Sequence, residues 1–164
     1  MEARQVRSAA DAKKLIAERN LKHVKVGVVD IDGVLRGKYM STQKFLSALD
    51  SGFGFCDVVL GWDVKDQLYD NVDYTGWHTG YPDTPVRLLA QSCRENPFEQ
   101  NGLFFLAEFS GKAEAICPRG LLRRVLEKAD EMGFEIFCGF EYEFFVFDET
   151  PHSVREKNYQ NLTP

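Results

Sequence analysis

The chain has 164 residues, 44% of them hydrophobic and 27% charged, with a net charge of −5 at neutral pH. That length suits one medium domain or one small domain plus part of a second, and the balance excludes disordered and fibrous classes. The acidic surplus argues against a nucleic-acid binder, and no apolar run nears the roughly 20 residues that span a bilayer, so the expectation is a cytoplasmic protein with no signal peptide and no membrane anchor.

In chain order, Ser8 to Asp11 reads as a capping box, followed by Ala12, Leu15 and Ile16 at helical spacing, which predicts a helix over about 8–20. Lys22–Ile31 is rich in Val and Ile and predicts a strand; Asp32-Gly33 is a hairpin turn signal, and Val34–Met40 continues as a second strand. Ser41 can cap a helix with Phe45, Leu46 and Leu49 on one face, ended by Gly52. Residues 55–61 read as a further strand. The stretch from Trp62 to Pro85 has few apolar repeats, and loops of that length are usually functional or disordered. Its aromatics Trp62, Tyr69, Tyr74, Trp77 and Tyr81 argue for order. Strands are expected at Val86–Ala90, Leu103–Phe109 and Ala113–Ile116. Pro118 then opens a helix whose Leu121, Leu122, Val125, Leu126, Ala129 and Met132 form an apolar stripe, with Gly133 as its stop. Glu135–Asp148 predicts a long aromatic strand, and the polar tail after it carries no predicted element.

These elements predict an α+β chain: a β-grasp-like mixed sheet with helices over 1–112, then the opening helix and strand of a second domain over 113–164. The four cysteines Cys56, Cys93, Cys117 and Cys138 lie far apart, which reads as reduced thiols and not as a disulfide or zinc framework. Charge is unevenly placed: residues 1–40 hold nine Lys/Arg against five Asp/Glu, and residues 41–110 hold four against ten. An acidic middle suits a cationic or amine partner better than a phosphate, or is simply a solvated face.

Two constellations could carry chemistry. Val28-Val29-Asp30-Ile31-Asp32-Gly33 resembles the first motif of the haloacid-dehalogenase phosphatases, in which Asp30 would attack phosphorus and Asp32 act as general acid. The alternative is that Asp32-Gly33 is only the hairpin turn, with Asp30 a polar residue at a strand end. In Gly139-Phe140-Glu141-Tyr142-Glu143-Phe144, strand alternation would put Glu141 and Glu143 on one face with Cα atoms about 6.5–7 Å apart. Paired carboxylates among aromatics suit a hard divalent ion, or else a strand with one solvated face.

The string Cys117-Pro118-Arg119-Gly120-Leu121-Leu122, followed by Gly133-Phe134 and then Gly139-Phe140-Glu141-Tyr142-Glu143-Phe144-Phe145, resembles the glutamine synthetase family. The hairpin from Val29 to Lys38 is similar to the first hairpin of that family's N-terminal β-grasp domain. The resemblance covers about residues 22–148. It implies ATP-dependent condensation of the glutamate γ-carboxylate with ammonia or a small amine through a γ-glutamyl phosphate, with Mg2+ or Mn2+ as cofactor. By the motif match, Glu143 would hold the ion near the glutamyl phosphate and Glu141 the ion bridging the ATP phosphates. Ammonia-using members carry an Asp-Gly-Ser-Ser loop; here the region reads Gly61-Trp62-Asp63-Val64-Lys65-Asp66. Asp63 is the best match for the amine-binding carboxylate and Asp57 the next, while the Ser pair is absent, as would suit a γ-glutamylpolyamine ligase-like member. The resemblance also implies a homo-oligomer, a dodecamer in the full-length parent, with Asp63 acting in trans on a neighbour's site. Because the family's catalytic barrel has barely begun at Pro164, the chain is expected to be an N-terminal portion, inactive alone. A phosphatase and a non-catalytic β-grasp interaction module are the competing readings.

Overall fold

The structure, a computed structural model, describes residues 1–164 and divides into two compact units, Met1–Gly133 and Phe134–Pro164. In the first, a 3-10 turn at Ala3–Gln5 precedes helix α1 (Ala9–Glu18). The Ser8 hydroxyl accepts the Asp11 N–H at 3.1 Å and the Asp11 carboxylate accepts the Ser8 N–H at 3.0 Å, so two donors that the first turn leaves unpaired are satisfied reciprocally. Strands β1 (His23–Val29) and β2 (Leu35–Ser41) pair antiparallel from His23–Ser41 to Val29–Leu35. The Ser41 hydroxyl then accepts the Lys44 N–H to open α2 (Thr42–Ser51). Gly52 ends α2 at φ 71° and ψ −171°, a conformation open essentially to glycine alone, and a Cβ there would lie 2.5 Å from the Val86 carbonyl oxygen.

Strand β3 (Phe53–Cys56) leads into a 3-10 turn at Asp57–Leu60, and the irregular segment beyond it returns to β4 (Asp83–Glu95) and β5 (Leu103–Phe109). The five strands form one sheet in the order β2-β1-β5-β4-β3. All neighbours are antiparallel except β1 and β5, which run parallel from Lys25–Phe104 to Gly27–Leu106. Alternation along the two central strands puts Val24, Val26 and Val28 with Leu103, Phe105 and Ala107 in the core. Leu15 and Ile16 of α1 and Phe45 and Ala48 of α2 are buried with them, and the Phe45 and Phe105 rings meet at 4.6 Å. Burying each of the larger side chains stabilises the fold by about 1.5–3 kcal/mol.

Past β5, a 3-10 turn at Gly111–Ala115 leads to α3 (Pro118–Glu131). Glu108, only 6% exposed, accepts from Arg87 at 3.1 Å and from Arg119 at 3.2 Å, tying α3 to the sheet. In the second unit, α4 (Pro151–Glu156) is capped by Thr150, whose hydroxyl accepts the Ser153 N–H.

Several expected elements are corrected. Of the strand expected at 55–61, only residues 55 and 56 are extended, as the end of β3, since the chain winds at Asp57 into a 3-10 turn that buries Asp57, Val59 and Leu60. The piece at 113–116 lies in and beside the 3-10 turn after β5. The apolar stripe of α3 forms but stays exposed: Leu121, Leu122, Val125 and Met132 are each more than half exposed, and Gly120 is the helix's buried residue. Glu135–Asp148 makes no strand. A strand is held by a hydrogen-bonded neighbour, none pairs with this run, and its aromatics lie open, with Phe140 85% exposed. The tail, read as featureless, contains α4.

Candidate functional site

The functional groups of the first unit gather where the β1–β2 hairpin meets the segment after β3. Asp30, at the end of β1, is fully buried. Its Oδ1 accepts the N–H groups of Asp32 at 3.1 Å and Val34 at 2.8 Å, and its Oδ2 accepts Arg36 Nε at 2.7 Å. Every oxygen of the carboxylate is thereby spent on closing the turn and pairing a guanidinium. A nucleophile must face its substrate, so this geometry disfavours the phosphatase reading and leaves Asp30 as the organiser of the hairpin.

Residues 61–69 fold over that hairpin. Tyr69 N–H donates to the Gly61 carbonyl at 2.9 Å, and Trp62 and Leu68 form a single antiparallel bridge. Asp32 Oδ2 accepts the Val64 N–H at 3.0 Å and its Oδ1 accepts the Tyr69 hydroxyl at 3.1 Å. Arg36 reaches across with Nη1 to Asp66 Oδ1 at 2.7 Å, Nη2 to the Asp63 carbonyl at 3.4 Å, and its guanidinium 5.0 Å from the Trp62 ring centroid.

Asp63 sits at the centre of this loop, half-buried. Its Oδ1 accepts the Lys65 N–H at 2.8 Å and the Gln67 N–H at 2.9 Å, while Oδ2 has no partner within the chain. The Gln67 N–H, aided by that of Lys65 and by the charges of Lys65 and Arg36, holds the carboxyl below its ordinary range, so it stays ionised at neutral pH. One oxygen orients the group and the other can meet a cation. Asp57 is placed differently: it is 3% exposed and its Oδ1 accepts the hydroxyl of the fully buried Thr75 at 2.6 Å. That pair fastens the far part of the segment, where Trp77 stands 83% exposed and edge-on to Tyr81 at 5.4 Å.

Glu141 and Glu143 belong to the second unit and are both exposed. Their chemistry, hard carboxylate oxygens without internal partners, fits magnesium or manganese in kind. It does not fit in number, because no group of three His, Cys, Asp or Glu side chains is gathered to hold an ion. The ordered carboxylate of this unit is Glu149, which accepts from Lys157, from Ser153 at 2.5 Å and from the Thr163 N–H at 2.8 Å. Those donors, Lys157 first, hold it down at about 2.

Sequence reasoning missed Arg36 and Thr75. Arg36 lies four residues before the buried Met40 on β2, so strand alternation already directs it to the covered face of the sheet. Thr75 had no such signal, because nothing in an irregular stretch foretells which hydroxyl will meet Asp57.

Residues 115–164 match the glutamine synthetase catalytic domain family. Type-1 glutamine synthetase 2 of Dictyostelium discoideum is 43% identical over 144 residues, covering 86% of this chain and 28% of that protein. The glutamate–isopropylamine ligase of a Pseudomonas species is 31% identical over 157 residues, covering 93% of this chain and 34% of that protein. The chain thus spans about a third or less of the length of these relatives. In fold it is similar to the glutamine synthetase of Plasmodium falciparum, with a TM-score of 0.54 at 16% identity over 77% of this chain and 23% of that one.

Proposed function

We propose, for a chain that belongs to the glutamine synthetase family, that it is the N-terminal portion of an ATP-dependent ligase joining the glutamate γ-carboxylate to ammonia or a small amine. The observation that carries this reading is that one chain joins a stretch of catalytic-domain sequence, residues 115–164, to a sheet unit presenting Asp63 with one carboxylate oxygen unspent. On this reading residues 1–112 are a β-grasp domain and residues 113–164 begin the catalytic domain. The protein is cytoplasmic and assembles as a homo-oligomer, a dodecamer, in which Asp63 serves a neighbour's site.

An ammonium or alkylammonium ion is held by its charge but cannot attack until it loses a proton. Asp63 Oδ2 would bind the cation and accept that proton. The amine lone pair would then form the amide bond at the carbonyl carbon of γ-glutamyl phosphate, with phosphate leaving. The carboxyl is ionised when a cation arrives, as binding requires. Glu141 and Glu143 would supply two carboxylates to a magnesium or manganese site completed from outside this chain. Such an ion neutralises triphosphate charge and aligns the transferring phosphoryl group. The absence of a Ser pair after Asp63 supports an amine larger than ammonia.

The test is complementation in the longer enzyme. Asp63→Ala and Glu143→Gln proteins are each expected to lose ligase activity by at least about a hundredfold, with folding intact. Denatured together and reassembled, they are expected to regain activity at interfaces where an intact Asp63 faces an intact Glu143. If no mixture exceeds its components, the shared site is refuted; if neither substitution lowers activity, both assignments are.

A further inference from the structure

We propose that Arg36 is a positioning residue for the amine-binding carboxylate: by clamping the 61–69 loop to the hairpin, it holds Asp63 Oδ2 where an alkylammonium ion can meet it. This rests on the reading of Asp63 given above.

Arg36 is the one side chain that engages both sides of the contact at once. Its Nε is spent on the buried Asp30, and its two terminal nitrogens reach forward to Asp66 at 2.7 Å and the Asp63 carbonyl at 3.4 Å. Its guanidinium carbon lies over the ring of Trp62, the residue next to Asp63, 5.0 Å from the centroid. A planar fork with donors in three directions can do this, whereas a lysine ammonium on a flexible stem can pair with Asp30 alone. The guanidinium bonds Asp63 through the backbone, at the Asp63 carbonyl, and reaches the carboxylate only by its charge through space. The Asp63 carbonyl also accepts the Asp66 N–H at 3.0 Å, and Asp66 is itself paired to Arg36. The loop turn that aims the carboxylate is thereby closed from behind. Asp32 adds a second tie through Val64 and Tyr69 but leaves residues 65–67 to Arg36. Those residues supply the two N–H groups that orient Asp63 Oδ1.

The experiment has two arms, each with Arg36→Lys and Arg36→Gln. Arg36→Lys keeps a cation beside the buried Asp30, so it folds even if Arg36→Gln does not. Amide hydrogen exchange on this chain reads the clamp. The Lys65 and Gln67 amides are expected to exchange about ten- to a hundredfold faster in Arg36→Lys, while those of Val26 and Phe105 in the sheet stay as in wild type. Steady-state kinetics on the longer enzyme, with methylammonium or isopropylammonium as the probe, reads the consequence. The KM for the amine is expected to rise about ten- to a hundredfold, with the KM values for ATP and glutamate unchanged. Unchanged exchange at Lys65 and Gln67 in a folded Arg36→Lys protein overturns the clamp. Faster exchange with an unmoved amine KM overturns its role in positioning. A wild-type enzyme that ligates no amine defeats the functional reading instead, and the exchange arm then decides the clamp by itself.

Discussion

Removing the Asp30 carboxylate is expected to loosen the whole β1–β2 hairpin. The group is fully buried, accepts two backbone N–H groups of its own turn, and pairs with Arg36 at 2.7 Å. Breaking a buried ion pair from one side costs about 3–5 kcal/mol, because the partner is left charged and unpaired. Here the Arg36 side chain is 21% exposed and keeps Asp66, which places Asp30→Ala at the low end, about 3 kcal/mol. For a chain of this length that lowers the melting temperature by about 6–12 °C. Asp30→Asn retains one acceptor oxygen for the turn amides and loses the charge, so its cost falls to about 1–2 kcal/mol. Urea unfolding followed by the fluorescence of Trp62 and Trp77, both in the first unit, gives the order wild type, Asn, Ala. An Asp30→Ala protein within about 0.5 kcal/mol of wild type would refute the structural role, since that is the range of an ordinary surface substitution. Turnover of a phosphate ester with magnesium, abolished in a well-folded Asp30→Asn protein, would make Asp30 a nucleophile and refute the ligase reading as well.

Gly52→Ala is expected to destabilise by about 2–4 kcal/mol, combining an unfavourable backbone conformation with a Cβ 2.5 Å from the Val86 carbonyl oxygen. Gly33→Ala, at φ 85° with open space around the new methyl, isolates the backbone contribution at about 1 kcal/mol, and the two denaturation midpoints measure the difference. Glu149 is held at about 2, below its ordinary 4.5, so the order it gives residues 149–163 is present above pH 4.5 and lost as pH falls from there through 2. An amide titration followed by NMR is expected to show the Thr163 N–H moving with a midpoint near 2, and Glu149→Gln abolishes that transition.

Local chemistry made much of this fold legible. The capping box at Ser8 and Asp11, the Asp32-Gly33 turn, Ser41 before α2, Gly52 and Gly133 at helix ends and Pro118 at a helix start are short-range devices. Each acts through atoms a few residues away, so a window of the sequence contains the whole cause. The same holds for Val24, Val26 and Val28, whose alternation declares one covered face of β1. Asp63 stood out for a different reason, a motif match, and its free oxygen became evident only from the folded turn around it.

What tertiary structure alone decided involves partners distant in sequence. The parallel pairing of β1 with β5 brings residue 25 beside residue 104, and no local signal encodes that neighbour. Asp57 and Thr75 lie 18 positions apart in sequence and meet as a buried pair that no local signal encodes. Asp30 carried the same letters whether nucleophile or turn organiser, and only the arrival of Arg36 and two amides separated the roles. The run at 135–148 is the converse case. Its alternating aromatics favour a strand, but a strand exists by virtue of hydrogen bonds to a neighbour, and that neighbour is not encoded in the run itself.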